Sequence, residues 1–305
     1  MVSAVSPAPG AIRLTSTQGR WVLAATVLGS SMAMLDGTVV NVALPTIGKS
    51  LHTGLAGLQW TVTAYTLTLA GLILLGGALG DRLGRRKIFV VGVVWFALAS
   101  ALCGLAPDIG VLIGARALQG IGGALLTPGS LAIIQASFAP DDRPRAIGAW
   151  SGLGGVAGAI GPFLGGWLID SVGWRWIFLL NLPLAAVVVA VSVRHVPETR
   201  DPTSHGRFDW GGAILAALAL AGITDALIEA PVHGWARAAL TGGAGILCGV
   251  GFVLLERHRG RAKNGTPPML PLDVFASREF NAVNVITFVI YGALGGTIFL
   301  LVLQL

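Results

Sequence analysis

The chain has 305 residues, of which 54% are hydrophobic and only 11% charged, about half the charge with which a soluble globular protein clothes its surface. Mean hydropathy is +0.78, and the apolar residues fall in blocks long enough to cross a ~30 Å hydrocarbon core at ~1.5 Å per residue. A soluble fold is excluded, and the chain reads as an all-α, polytopic membrane protein.

Residues 1–20 form a polar tail carrying Arg13 and Arg20. The apolar run after it is too long for a signal-peptide core, so it reads as an uncleaved first span. Apolar blocks between charged punctuation then predict nine helices, at 21–44, 58–79, 88–106, 109–137, 146–168, 176–193, 210–228, 238–255 and 280–303. In lipid these segments must be helices, because an open strand would leave backbone groups unpaired. The spacing divides the chain into the tail, a six-helix unit (21–195), a linker (196–209), a helix pair (210–255), a basic loop (256–279) and a final helix (280–305).

With the N-terminus placed in the cytoplasm, sixteen of the twenty Lys and Arg lie on inner segments, three (Lys49, Arg175, Arg237) on outer ones, and Arg116 lies inside a span. The positive-inside rule therefore orients the chain in the cell membrane with a cytoplasmic N-terminus and an external C-terminus. This asymmetry accounts for the net charge of +6 and a pI near 10.1 without a nucleic-acid partner. Eight of nine tryptophans fall near span ends, as interfacial belts should. Cys103 and Cys248 sit alone in apolar blocks, and the five histidines lack ligand spacing, which argues against a disulfide framework or a bound metal.

One phrase is written twice. GGALGDRLGRRKIF (76–89) and GGWLIDSVGWRWIF (165–178) share eight of fourteen positions. Three spans separate them, so they lie on opposite faces, as two inverted three-helix repeats require. The inner copy keeps Arg82, Arg85, Arg86 and Lys87; the outer keeps only Arg175.

GALGDRLGRRK (77–87) resembles the turn signature of the major facilitator superfamily. RALQGIGGALLTPG in the fourth span is similar to that family's R-x-x-Q-G-x-G motif, and GAIGPFLGGWLID in the fifth to its antiporter G-P-x-x-G-G motif. LDGTVVNVALPTI in the first span resembles the signature of the 14-helix drug–proton antiporter branch. The resemblance covers residues 20–305. It implies a six-helix bundle of two inverted repeats, followed by an extra helix pair and the first helix of a second bundle, five of whose helices would be missing. It also implies alternating-access export of drugs, antibiotics or other amphiphilic small molecules. The proton would be the coupling ion, with no other cofactor. Partners would be the small-molecule substrate, the bilayer, and a C-terminal half on a separate or continuing chain. The alternatives are a truncated, non-transporting or partner-dependent half and, less well matched to Gly161-Pro162 with Gly165-Gly166, a metabolite symporter. No catalytic constellation lies within a span, so an enzyme is not expected.

The resemblance assigns a cytoplasmic gating turn to Gly77, Asp81, Arg82, Gly84, Arg85, Arg86 and Lys87, with Asp81 docking on the other half. It assigns an antiporter seam to Gly158, Gly161, Pro162, Gly165 and Gly166. From the residues themselves, Gly84 permits a tight reversal, and the small residues around Pro162 let helices approach closely. Asp36 and Arg116 lie at similar depth inside spans, where a lone charge costs several kcal/mol unless paired or hydrated. They are either a static ion pair or a titrating site, Asp36 taking a proton from outside in competition with a cationic substrate. Asn41, Tyr65, Gln119 and Asn181 are polar candidates for a cavity.

Overall fold

The computed structural model describes residues 12–201, 209–261, 270 and 272–304. Most of the N-terminal tail lies outside the described residues, as do the middles of both basic segments, with His205, Arg207 and Lys263.

Each expected span is helical, in the expected order: α1 (Thr17–Ser50), α2 (Leu55–Leu83), α3 (Arg85–Gly104), α4 (Ile109–Ser137), α5 (Arg143–Ser171), α6 (Trp176–Leu179), α7 (Asn181–His195), α8 (Trp210–His233), α9 (Trp235–Arg261) and α10 (Arg278–Gln304). Among the described residues, nine stretches are long and apolar enough to cross a membrane, with α6 and α7 together making the sixth. Two differences from the expected spans have local causes. α1 continues through Pro45 to Ser50, because a proline in a span forfeits only one helical bond and its ring is accommodated by neighbouring helices. The sixth span breaks at Leu180, between Leu179 and Asn181. Pro183 lacks the N–H that would close on the Leu179 carbonyl, so the ladder is interrupted there.

Side chains fix several helix starts by accepting the otherwise orphaned first-turn N–H groups. Ser16 accepts from Gly19 at 3.0 Å, Asp108 from Val111 at 2.9 Å and Asp209 from Gly212 at 2.5 Å. The duplicated phrase has a duplicated backbone. Gly84 (φ +119°) and Gly173 (φ +98°) occupy equivalent places in its two copies, both in the left-handed region that favours glycine. The repeat seen in the letters is thus a repeat of the turn.

α4 is the central helix, packed against α2 and α3, while α5 lies along α1. The interior holds two apolar clusters. One gathers Met32, Phe89, Phe96, Ile133 and Phe138 toward the end of the bundle that carries the basic turn. The other gathers Val39, Leu44, Leu112, Trp174 and Phe178 toward the opposite end. The level between them is polar.

α8 and α9 pack on one another, and α8 lies against α2. Gly71 lets α2 close on Ala217, whose Cβ is 3.1 Å from where a Cβ on Gly71 would stand. The Trp60 indole donates to Glu229 at 2.7 Å near the other end of that contact. At the basic end, Asp209 caps α8 and pairs with Arg259 of α9. Burial works against the ionised Asp209 carboxyl, but hydrogen bonds from the Glu256 carboxyl, the Arg259 guanidinium and the Gly212 N–H hold it below the usual carboxylate range. A depressed carboxyl contributes stability above its unfolded pKa of about 3.9, lost only as pH falls through the lower folded value. Asp209→Ala removes both cap and counter-charge. It should lower the stability of the α8–α9 pair by about 1–2 kcal/mol, seen as earlier thermal unfolding in detergent at neutral pH. That difference from wild type should shrink on acidification below the ordinary carboxylate range.

α10 contacts mainly α1 and η1, a short turn of helix at Leu272–Ala276. None of its apolar window is buried against the rest of the described structure.

Candidate functional site

Arg116 is the largest fully buried side chain in the described structure, 1% exposed and about two turns into α4. A guanidinium so placed must have partners for its charge and its N–H groups. Nη1 donates to Asp36 Oδ2 of α1 at 2.5 Å and to Gln119 Oε1, one turn along α4, at 2.7 Å. Nε donates to the Thr61 carbonyl of α2 at 3.0 Å. The Tyr65 ring lies 4.4 Å from the guanidinium carbon, a cation–π contact that takes up charge where no water reaches. Gln119 Nε2 completes the loop by donating to Asp36 Oδ1 at 2.8 Å, so both Asp36 oxygens are engaged. The Asp36 carboxylate is wholly excluded from solvent.

The network extends to the break in the sixth span. Ser100 of α3 accepts from Gln119 at 3.2 Å and from Asn181 of α7 at 2.9 Å. Its hydroxyl donates to the Phe178 carbonyl at 2.8 Å, near the point where the helix is interrupted. The Cys103 thiol lies 3.5 Å from Gln119 Oε1. Five of the six membrane crossings of the bundle, all but α5, therefore meet at one polar layer between the two apolar clusters. The layer thus ties five helices together through one buried carboxylate, Asp36, and one buried guanidinium, Arg116.

Asp36, Arg116, Tyr65, Gln119 and Asn181 are thus brought together. Asn41 is not part of the layer: its amide bonds back to the Gly37 carbonyl of its own helix at 2.8 Å. Ser100, Cys103 and the Thr61 and Phe178 carbonyls were not anticipated. Pro183 was the available signal for the last, since it forecasts an interrupted ladder; small hydroxyl and thiol residues in a span carry no such mark.

Around the basic turn, Asp81 pairs with Arg85 one helical turn on, Nε to Oδ1 at 2.9 Å. The turn is stapled to the segment after α7. The Asp81 carbonyl accepts from the Asp201 N–H at 2.9 Å, and the Thr199 carbonyl from the Arg85 N–H at 2.9 Å. Arg86 Nη1 donates to the Val196 carbonyl at 3.1 Å. Glu198, absent from the residues expected to matter here, caps α3 by accepting the Arg86 and Lys87 N–H groups at 3.1 and 3.2 Å. Glu198→Ala uncaps α3 and should cost about 1 kcal/mol, read as faster amide exchange in the first turn of α3. Gly77 sits on α2 with Pro128 of α4 as its nearest neighbour, and Arg82 lies in the last turn of α2.

The seam glycines divide between two faces of α5. A Cβ on Gly161 would stand 2.0 Å from Thr38 Oγ1, and one on Gly165 would stand 2.9 Å from Val39 Cγ1, so these two seat α5 on α1. Gly158 and Gly166 meet nothing within 4 Å, and Pro162 is exposed beside Phe163, which is 81% exposed. α5 runs unbroken through Pro162.

A bundle of membrane-spanning helices in inverted repeats, holding an ion pair in a dry polar layer, is the architecture of a secondary transporter. Residues 26–305 match the family model described as Major Facilitator Superfamily, and the chain belongs to that family. It is 38% identical over 280 residues to drug efflux pump JefA of Mycobacterium tuberculosis, covering 92% of this chain and 54% of that protein. It is 39% identical over 293 residues to the methylenomycin A resistance protein of Bacillus subtilis, covering 95% and 61%. The tetracenomycin C resistance and export protein of Streptomyces glaucescens is 35% identical over 280 residues, covering 91% and 51%. The chain spans between half and three-fifths of the length of these relatives. A solved peptide transporter POT in complex with sulfate shares the fold, with TM-score 0.58 at 16% identity over 83% of this chain and 55% of that one.

Proposed function

We propose that this chain supplies the proton-coupling half of an exporter of drugs, antibiotics or similar amphiphilic small molecules. The observation that carries the reading is the Asp36–Arg116 pair, 2.5 Å apart and excluded from solvent in the middle of the bundle. An ionisable pair in a membrane interior marks an ion or substrate pathway, and a carboxylate is the group in this layer whose charge a proton can cancel. Neutralising Asp36 releases Arg116 and Gln119 from α1, and so frees α1 and α4 to move relative to one another. Names borne by the relatives, drug efflux pump and resistance and export protein, support the same substrate class. The chain uses no cofactor beyond the proton and acts in the cell membrane. Its N-terminus is cytoplasmic, supported by the sixteen-to-three distribution of basic residues.

Alternating access takes two bundles rocking about a midplane site. In this reading the second belongs to a continuing or separate chain. The outward face of α5, with Gly158, Pro162 and Gly166, is the surface on which it seats, and Asp81 reaches it across the basic turn. Cells expressing the protein together with that second bundle, and preloaded with an amphiphilic fluorescent cation, test the proposal. Energised cells should clear the dye faster than vector controls and lose the advantage when an ionophore collapses the proton gradient. Equal clearance with and without the protein overturns it.

A further inference from the structure

α3 and α7 do not close on one another along their outer faces. Between them runs a trough of about 550 Å³ lined by Val94, Ala97, Leu98, Leu182, Ala186 and Ala190 among others. The alanines make it: side chains this small leave the ridges of the two helices without knobs to fill the groove. One turn nearer the basic end, the same two helices line a second hollow of about 290 Å³ with Val90, Val91 and Val193, and here Arg86, Lys87 and Glu198 form the rim. The two hollows follow one another along the same flank of α3 and α7 without sharing a lining residue, and taken together they give a channel apolar along its length and basic at its mouth. From Lys87 to Leu98 is eleven residues of helix, roughly 16 Å at ~1.5 Å per residue. That is about half a ~30 Å hydrocarbon core, so the channel runs from the membrane interface to the midplane.

We propose that this channel is a binding site for one anionic glycerophospholipid, with an acyl chain in the trough and the headgroup phosphate at Lys87. Charge decides the occupant. At this depth the surrounding medium is lipid tails, and a tail fills an alanine-lined groove that a helix would leave half empty. At the rim, Glu198 is already engaged by Arg86, 3.7 Å away, and by the two N–H groups at the start of α3. Its charge is spent inside the protein. Lys87 is exposed, and its ammonium makes no hydrogen bond or ion pair among the described residues. Arg194, exposed at the end of α7, continues the row Leu182–Ala186–Ala190 toward the same mouth. The uncompensated charge at the mouth is therefore positive. Basic pockets between spans at this level attract anionic headgroups, each Lys or Arg contributing about 1 kcal/mol. The site is separate from the polar layer around Asp36 and stands whether or not the chain exports drugs.

Native mass spectrometry of the purified chain tests it, with dioleoylphosphatidylglycerol and dioleoylphosphatidylcholine offered at equal concentration. One phosphatidylglycerol should be retained in preference to phosphatidylcholine by about fivefold or more, the ratio that ~1 kcal/mol per basic group corresponds to. Lys87→Gln should reduce the preference about fivefold and leave phosphatidylcholine retention unchanged, while Lys87→Arg should preserve it. Ala186→Trp, filling the trough from its lipid side, should reduce retention of both lipids. Dihexanoylphosphatidylglycerol, with the same headgroup and chains too short to fill the trough, should be lost from wild type, a comparison that needs no variant to fold. Equal retention of the two dioleoyl lipids by wild type, full retention of the short-chain lipid, or retention unmoved by both Lys87→Gln and Ala186→Trp overturns the proposal.

Discussion

Asp36→Asn is expected to abolish proton-driven efflux while leaving a folded but weakened protein. The substitution preserves shape, so Gln119 and Arg116 keep a neighbour of the same size, but it strands the Arg116 guanidinium beside a neutral amide. Breaking one partner of a buried pair costs about 3–5 kcal/mol, because the remaining charge sits where water does not reach. The matching loss from Arg116→Gln should be of similar size. The double variant Asp36→Asn with Arg116→Gln buries no net charge and should recover most of the lost stability, a coupling measurable by thermal unfolding of the four proteins in one detergent. Transport separates the two roles left open by the residues alone. A static pair predicts that the double variant regains transport along with stability. Proton coupling predicts that it regains stability alone, since no group remains in the layer to carry the proton. Recovery of energised efflux in the double variant would remove Asp36 from the mechanism.

Gly120→Val is the second large effect expected. Gly120 follows Gln119 on α4 and lies where that helix crosses α2. A Cβ there would stand 2.0 Å from Thr68 Oγ1 and 2.3 Å from the Tyr65 carbonyl oxygen. The threonine can turn aside, though only by giving up its bond to the Ala117 carbonyl at 2.8 Å. The Tyr65 carbonyl cannot, because it belongs to the α2 backbone. The helices must therefore move apart. The Thr61 carbonyl and the Tyr65 ring, both on α2, then withdraw from Arg116. Overpacking costs about 1–3 kcal/mol by itself, and loosening the partners of a buried cation adds to it. Gly120→Val should therefore accumulate poorly and unfold well below wild type. Gly155→Ala, on the open face of α5 where a Cβ meets nothing within 4 Å, should be indistinguishable from wild type in the same assay, apart from a small gain in helix propensity.

Much of this was legible in the letters. Charge asymmetry, apolar block length and the twice-written phrase lead to the helix order and the inverted repeat. The two positive-φ glycines show why the phrase had to recur: each turn needs a residue without a Cβ at one place. Asp36 and Arg116 stood out because a charge inside an apolar run is costly enough to demand a reason. Their contact could not be read, because depth along two helices says nothing about which faces meet. Gln119 lies one turn from Arg116 and was visible as polar, whereas Ser100 and Cys103 look like the small residues any close helix crossing uses. The Phe178 carbonyl was hidden for a different reason, being a backbone group freed by the break ahead of Pro183 rather than a side chain. Asn41, Gln135 and Tyr291 show the converse. Each is polar within a span, yet Asn41 bonds to its own helix, and Gln135 and Tyr291 face outward. Polarity alone does not place a residue in the layer; the face of the helix does. Glu198 was overlooked because it lies in what reads as a linker, and only folding brings that segment back over the start of α3.

The most direct test of the central claim is dye export by proteoliposomes holding the protein, with an imposed pH gradient as the only energy source, wild type against Asp36→Asn. The account predicts gradient-dependent export by wild type, once the second bundle is present on its continuing or separate chain, and none above protein-free vesicles for Asp36→Asn. Undiminished gradient-driven export by Asp36→Asn would contradict it.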